Sequence, residues 1–519
     1  MAAEQKMTTG AEAILNVAAA AGINICFANP GTTELSLVQA LDRNPSIHSV
    51  LAIFEGVCTG AADGYTRISG TPALALLHLG PGLANGLANL HNARKAGTPV
   101  VSVVGEHASW HIAANAPLTS DIDMLARPMS KFVHTSTRPD LAASDMATAI
   151  SQALQLPSGP ATLIVPGDVQ WAEVPDQPVT LQLPTPPAPN PAHIEHAAKT
   201  LRSGNAALVL SGSALRAAGL RAADRIARAT GCRVLAPTFP PVQDRGAGLI
   251  CPDKIPYPPE PARQLLAPYH NIILAGASEP VAFFGYPNSR SGLCPEDAKI
   301  LRLCDPIVDP ASALIALADA LEAPADRIVP ASERPHAPRG PLTPILMCQA
   351  IAAAQTEDTI VMDEGATAGF AYYGLSAGAP PFTYMTLTGG SIGQGLPCAV
   401  GAAAAEPQKR VICLEGDGSS LYTIQSLWTM AREKQKVTTV ICKNRAYSIL
   451  RWEMERARTT PGSASLALTG LDNPEISYPK VAEGFGVEAR AVSTAEALTD
   501  ALTSSFKSSG PMLIEANLE

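Results

Sequence analysis

The chain has 519 residues, 16% of them charged, and a formal net charge of −9. That length exceeds one ordinary core and implies several domains. The aliphatic-rich, lightly charged composition excludes a disordered chain, and the acidic balance argues against nucleic acid as the main partner.

Two proline-rich stretches, 183–191 and 330–341, read as extended linkers. They divide the chain into blocks 1–185, 190–335 and 340–519. In the first block, Ile25–Ala28, Val50–Phe54, Ala73–Leu77, Val100–Val104 and Ala161–Val165 are apolar runs of strand length. Asn29-Pro30-Gly31-Thr32-Thr33-Glu34 is a strand-to-helix turn whose Thr32 either caps the next helix or touches a substrate. Glu55 directly follows the run Val50–Phe54 and opens a helix over 56–67. There it is either a dipole-stabilised helix-start acid or a desolvated carboxyl with a raised pKa. His78 closes Ala73–Leu77 before a glycine-rich turn, a place suited to acid–base work or to a structural role. Glu106, His107 and His111 follow the fourth run without an evident third ligand.

The second block has strand-like runs at Ala207–Leu210 and Ile272–Ala275 and no convincing dinucleotide fingerprint over 190–335, so FAD is not expected. In the third block the runs at 359–362, 411–414, 437–442 and 512–515 read as strands, and Ser420–Lys434 as a helix. Strands alternating with helices predict an α/β fold of three doubly wound parallel-sheet domains. Gly416-Asp417-Gly418 breaks the strand 410–414 with a tight turn, and Asn444 follows the next strand. Asp417 and Asn444 thus end adjacent parallel strands, at the edge where such sheets bind ligands. A carboxylate and an amide carbonyl suit Mg²⁺ shared with a diphosphate.

The ten cysteines form no CxxC pair or zinc spacing, and several lie in apolar runs. They read as reduced, buried thiols of a cytoplasmic protein. Met1 to Lys6 is polar with no signal peptide after it, and no apolar run reaches membrane-spanning length.

Together these pieces resemble the thiamine diphosphate (ThDP) enzymes of the 2-oxo acid decarboxylase and acetolactate synthase superfamily. The Gly-Asp-Gly signature stands at 416–418 and its closing pair at Lys443-Asn444, with lysine where the family has a first asparagine. The resemblance covers nearly the whole chain. It implies a ThDP pyrimidine-binding domain (1–185), a middle α/β domain (190–335) and a diphosphate- and Mg²⁺-binding domain (340–519). It further implies Asp417, Asn444 and the Ala446 carbonyl as metal ligands. Cofactor contacts would come from Glu55, Thr367, Gly390, Ile392, Gly416, Gly418, Ser419, Asn444, Ala446, Tyr447 and Ser448. Glu55 would be the activating glutamate, Ile392 the prop beneath the bent cofactor, and Gly390 the carbonyl facing the aminopyrimidine. Because relatives build the site from two subunits, a homodimer is the minimum expected, and a homotetramer is common among them.

Within the superfamily, Asn29–Leu35, His78 and Ser448–Trp452 resemble benzoylformate decarboxylase, with Thr32 where that enzyme carries serine. Its second active-site histidine is absent near Ala282–Gly285, where Phe283 and Phe284 stand instead. Thr32, His78, Phe283, Phe284, Ile449 and Leu450 are the candidate pocket wall for a small 2-oxo acid, with Thr32, His78 and Glu55 as the catalytic set. The alternative is an acetolactate synthase-like carboligase, toward which Leu79–Asn85 and Gly390–Gly393 lean; a non-catalytic ThDP-fold subunit is the remote one. The Gly389–Gly393 string resembles a hydrolase nucleophile elbow, but no histidine lies downstream to serve as its base.

Overall fold

The computed structural model describes residues 7–176 and 179–519; the stretch Met1 to Lys6 read above as polar lies outside them. The chain forms two compact units. One gathers Met1–Pro184, Pro335–Ser376 and Leu387–Glu519, and the other Thr185–Arg334 with Ala377–Thr386.

The first block of the larger unit is a six-stranded sheet. Its strands are β1 (Ile25–Asn29), β2 (His48–Leu51), β3 (Leu74–His78), β4 (Val101–Glu106), β5 (Phe132–Thr135) and β6 (Ala161–Pro166). They run parallel in the order β2-β1-β3-β4-β6-β5. Their near-continuous Val, Leu, Ile and Ala content is what a sheet covered on both faces requires. Helix α1 (Glu55–Ser69) follows β2, and α2 (Leu79–Ala96) follows β3 without a break. One face of this sheet packs Ile14, Cys26, Leu74, Leu76, Val103 and Leu163 into a core.

The smaller unit holds a five-stranded sheet. Its strands are β7 (Ala206–Leu210), β8 (Arg233–Ala236), β9 (Asp253–Lys254), β10 (Asn271–Ala275) and β11 (Lys299–Arg302), in the order β9-β8-β7-β10-β11. Neighbouring strands are parallel. The segment Phe382–Thr386 also belongs to this unit, where it pairs antiparallel with Val242–Arg245.

The last block of the larger unit contains β12 (Thr359–Glu364), β13 (Val411–Gly416), β14 (Val437–Lys443), β15 (Glu488–Val492) and β16 (Met512–Asn517). They lie in the order β12-β13-β14-β16-β15, all parallel. Helix α3 (Gly395–Ala405) packs against α1 of the first block at very short range. A Cβ on Gly401 would lie 1.9 Å from the Ala61 carbonyl oxygen, and one on Gly64 2.2 Å from that of Cys398. Glycine on each helix is what lets the two backbones meet.

The predicted helix Ser420–Lys434 is two helices, α4 (Asp417–Ser420) and α5 (Ser426–Arg432). The hydroxyls between them are spent elsewhere. Ser420 Oγ donates to the Asp417 carbonyl (2.8 Å), and Thr423 Oγ1 to the Gly393 carbonyl (2.9 Å). Such side-chain bonds compete with a continuous helical ladder. Nor is 416–418 a separate turn, since β13 runs to Gly416 and α4 begins at Asp417.

Candidate functional site

The carboxyl ends of β1, β3 and β4 gather ionisable groups from sequence-distant turns. Strand β2 stops at Leu51, short of the expected Phe54, which instead caps α1. Glu55 is therefore the first residue of α1. It is 8% exposed and accepts a hydrogen bond from Asn85 Nδ2 at 2.9 Å. His78 ends β3, and its Nδ1 lies 2.7 Å from Glu34 Oε2. Thr32 is exposed and forms no side-chain cap; the threonine that reaches His78 Nδ1 is Thr33, at 3.2 Å. Glu106 ends β4 and accepts the His107 backbone N–H at 2.7 Å; burial pushes its pKa up. The His107 ring faces His111 edge-on at 5.3 Å.

At the carboxyl ends of β13 and β14, Asp417 is 3% exposed. Gly418 N–H donates to its Oδ1 (2.9 Å) and Arg445 N–H to its Oδ2 (2.6 Å). Burial nevertheless raises its pKa by penalising the bare carboxylate. Asn444 Oδ1 accepts from the Ala446 N–H (3.0 Å), and the Ala446 carbonyl from the Ser448 N–H (2.8 Å). These donors are one carboxylate, one amide oxygen and one backbone carbonyl. They offer oxygen only, the ligand chemistry of a hard cation. Ser419 Oγ is turned inward, donating to Glu415 Oε1 at 2.6 Å. The Tyr447 ring lies against Gly418, where a Cβ would meet it at 2.3 Å.

Lys443, in place of the expected asparagine, is matched inside the fold. Its Nζ lies 3.0 Å from Glu515 Oε1, with both side chains nearly buried, and 3.0 Å from the more exposed Glu475. Glu515 Oε2 in turn accepts the Tyr478 N–H (3.0 Å), and Tyr478 OH donates to the Asp417 carbonyl (2.6 Å). The lysine thus enters a chain of contacts that ends on the candidate metal ligand.

The segment 388–395, with Gly390 in left-handed backbone (φ 77°), is tied to three elements. From α2, His91 Nε2 lies 3.0 Å from the Gly389 carbonyl, and Asn92 Nδ2 donates to the Ser391 carbonyl (2.7 Å). From α1, Arg67 binds Asp63 through two bonds (2.8 and 2.6 Å) and donates to Thr388 Oγ1 (3.0 Å); Asp63 also accepts from Gln394 Nε2. From β12, Glu364 accepts the N–H groups of Gly393 (2.6 Å) and Gly395. Its pKa is raised to about 7, burial outweighing those bonds, and the neighbouring Glu415 is likewise pushed up by burial.

Two family models match the chain: the thiamine pyrophosphate enzyme N-terminal TPP binding domain over residues 8–126 and the C-terminal TPP binding domain over 365–516. A Mycobacterium tuberculosis protein named "Putative acetolactate synthase large subunit IlvX" is 45% identical over 509 residues, covering 98% of each chain. The chain belongs to the thiamine-diphosphate-dependent enzyme family. Within it, benzoylformate decarboxylase of Pseudomonas aeruginosa is 30% identical, covering 95% of this chain and 96% of its own. A Rhodococcus jostii thiamine diphosphate-dependent 4-hydroxybenzoylformate decarboxylase superposes with a TM-score of 0.86 at 26% identity, covering 99% of this chain and 100% of its own. The protein is thus a ThDP-dependent enzyme of the decarboxylase and acetolactate synthase family, and thiamine diphosphate is its cofactor.

The remaining candidates scatter. Thr367 and Ile392 are half-buried near the ends of β12 and the start of α3. Ile449 and Leu450 lie on α6 (Ser448–Arg456), no residue of which is buried. Phe283 and Phe284 belong to the smaller unit, where they form an exposed aromatic cluster with Phe239 and Tyr257. Glu34 was missed by sequence reasoning. Its signal was the strand-end glycine turn followed three residues later by an acid, a pattern that also marks an ordinary helix start. No helix is long and apolar enough to cross a membrane among the described residues.

Proposed function

We propose that the protein cleaves the C1–C2 bond of a small 2-oxo acid by non-oxidative, benzoylformate decarboxylase-like decarboxylation, using ThDP and Mg²⁺. The observation that carries this reading is His78, held by its Nδ1 at the end of β3. The 30% identity to benzoylformate decarboxylase supports it.

Asp417, Asn444 and the Ala446 carbonyl would hold Mg²⁺ and, through it, the diphosphate, with Gly416, Gly418, Ser419, Thr367, Tyr447 and Ser448 around them. Gly390 and Ile392 would carry the cofactor rings, and Glu55 would bind the pyrimidine. The bound cofactor supplies an electron sink for the pair left when CO₂ departs. This chain's groups then orient the acid and manage protons. Glu55, fixed by Asn85, would hydrogen-bond the pyrimidine. His78 delivers a proton to the carbonyl carbon after CO₂ leaves. Thr32, Ile449 and Leu450 remain the proposed pocket wall.

A second reading is favoured by the 45% identity to the acetolactate synthase relative: a carboligase that joins the decarboxylated acyl unit to a second carbonyl compound. Purified protein supplied with ThDP and Mg²⁺ is given pyruvate and benzoylformate separately, and products are identified by NMR. Free aldehyde establishes the decarboxylase. Acetolactate or another acyloin as main product establishes the carboligase and overturns the first reading.

A further inference from the structure

Glu34 is completely buried, yet it is a carboxylate in a core that penalises unpaired charge. Three donors reach it. Gly31 N–H donates to Oε2 (2.8 Å), Thr33 Oγ1 donates to Oε1 (2.6 Å), and His78 Nδ1 stands 2.7 Å from Oε2. A carboxylate only accepts hydrogen bonds. The Thr33 hydroxyl has one proton, and its contact to Glu34 is 0.6 Å shorter than its 3.2 Å approach to His78 Nδ1, so that proton lies toward Glu34. The proton between His78 and Glu34 therefore sits on Nδ1. Nε2 carries the lone pair in the neutral ring and makes no hydrogen bond among the described residues.

The room for this pair comes from two glycines. A Cβ on Gly105 would fall 1.8 Å from Glu34 Oε1, and one on Gly31 would fall 2.3 Å from His78 Nδ1. Both lie on rigid ground, since Gly105 stands opposite His78 in the β3–β4 register and Gly31 follows β1. The carboxylate sits where the Gly105 side chain would be and lies beside the imidazole of the next strand.

We infer that Glu34 is a positioning residue: it fixes His78 as the Nδ1–H tautomer and makes Nε2 the atom that gives and takes protons in the reaction. This rests on the proposed participation of His78 in that reaction. In the step concerned, the C1–C2 bond of the acid breaks, CO₂ leaves, and a C–H bond forms at the former carbonyl carbon. Its proton comes from protonated Nε2, and the neutral ring left behind is reprotonated there by water.

The test uses the full-length enzyme carrying ¹⁵N-labelled histidine. The His78 signals are assigned by their loss in H78F, and the ring tautomer is read from long-range ¹H–¹⁵N couplings. Wild type is expected to show Nδ1–H. E34Q, whose amide can donate to Nδ1, is expected to shift the ring toward Nε2–H, and E34D to restore Nδ1–H in part. G105A, which displaces the carboxylate without removing it, is expected to act as E34Q does; an unchanged circular dichroism spectrum shows that each variant is folded. Turnover by E34Q should fall mainly in kcat, by no more than the loss in H78A, roughly 10²–10⁴-fold for a general acid–base group. The E34Q/H78A double variant should lose no more than H78A alone. A wild-type Nε2–H tautomer, or one unmoved by E34Q, overturns the inference. A tautomer that shifts while neither E34Q nor H78A slows turnover leaves the positioning intact and removes His78 from the reaction instead.

Discussion

At the scale of single residues, two buried ionisable groups are placed for different work. Among the described residues Glu55 has one side-chain donor, Asn85 on Oε2, and it heads a helix, so it is supported while Oε1 is open to a ligand. E55Q keeps the shape and should leave thermal stability within about 1 kcal/mol, as expected of a change without cavity or clash. Turnover should fall by roughly 10²-fold or more, measured as steady-state rate on whichever 2-oxo acid proves active. An unimpaired E55Q would show that Glu55 is not the activating carboxylate. Lys443 is the opposite case, a buried charge whose value lies in its partner. Removing the ammonium alone in K443M strands Glu515, and breaking a buried pair costs about 3–5 kcal/mol. Removing both in K443M/E515M should recover most of that loss. A urea-denaturation cycle measures the coupling, and an additive double variant would show that the pair is not a unit.

At the scale of elements, the buried strands were legible because buried parallel strands are continuous apolar runs, whereas β5, β8, β9, β11 and β15, which carry exposed or half-buried residues, were not read. The carboxyl ends of the buried strands were not legible either. The sequence reading stopped at residues 77, 104, 362, 414 and 442, whereas the strands continue through His78, Glu106, Glu364, Gly416 and Lys443. Each extension adds polar residues or glycine, which interrupt the run that announces a strand, and these are the residues that build the site. Asp417 and Glu55 could be read from local pattern alone. The Glu34–His78 and Lys443–Glu515 contacts could not, because they join residues 44 and 72 positions apart. The 388–395 segment shows the same dependence on distant partners, and Glu364 makes it pH-sensitive. Its folded-state pKa of about 7 lies above the ordinary carboxylate range, so the folded protein binds the extra proton. That contribution is fully present at acid pH and is lost as pH rises from about 4.3, the unfolded value, through about 7. The difference in melting temperature between wild type and E364Q should therefore change across this window and level off above it. A constant difference from pH 5 to 8 would show that Glu364 does not titrate there. The contact of α1 with α3 is equally specific. G401A drives a methyl group into the Ala61 carbonyl and should cost about 1–3 kcal/mol, read by urea denaturation.

At the scale of the whole molecule, the larger unit exposes apolar side chains in the stretches that follow two strands of its candidate site. Trp110 is 73% exposed, Met124 66% and Leu118 41%, all in the stretch that follows β4. Leu450, Leu466 and Leu468 are exposed at 48%, 47% and 81% in the stretch that follows Asn444. Large apolar groups concentrated after two strand ends of the candidate site are better explained by a covering surface than by scattered chance. A second copy of the chain is the occupant that would also complete a site shared between subunits, as expected from the family resemblance. Light scattering on the purified protein should therefore give at least a dimer, and a tetramer would fit equally well. Charges introduced into the first patch, W110E with M124E, should shift the mass toward the monomer. Because a shared site needs both chains, ThDP binding and turnover should fall with it, and raising protein concentration should restore both by mass action. A monomer that binds ThDP and turns over at the wild-type rate would show that one chain carries a complete site, and the exposed patches would then need another partner.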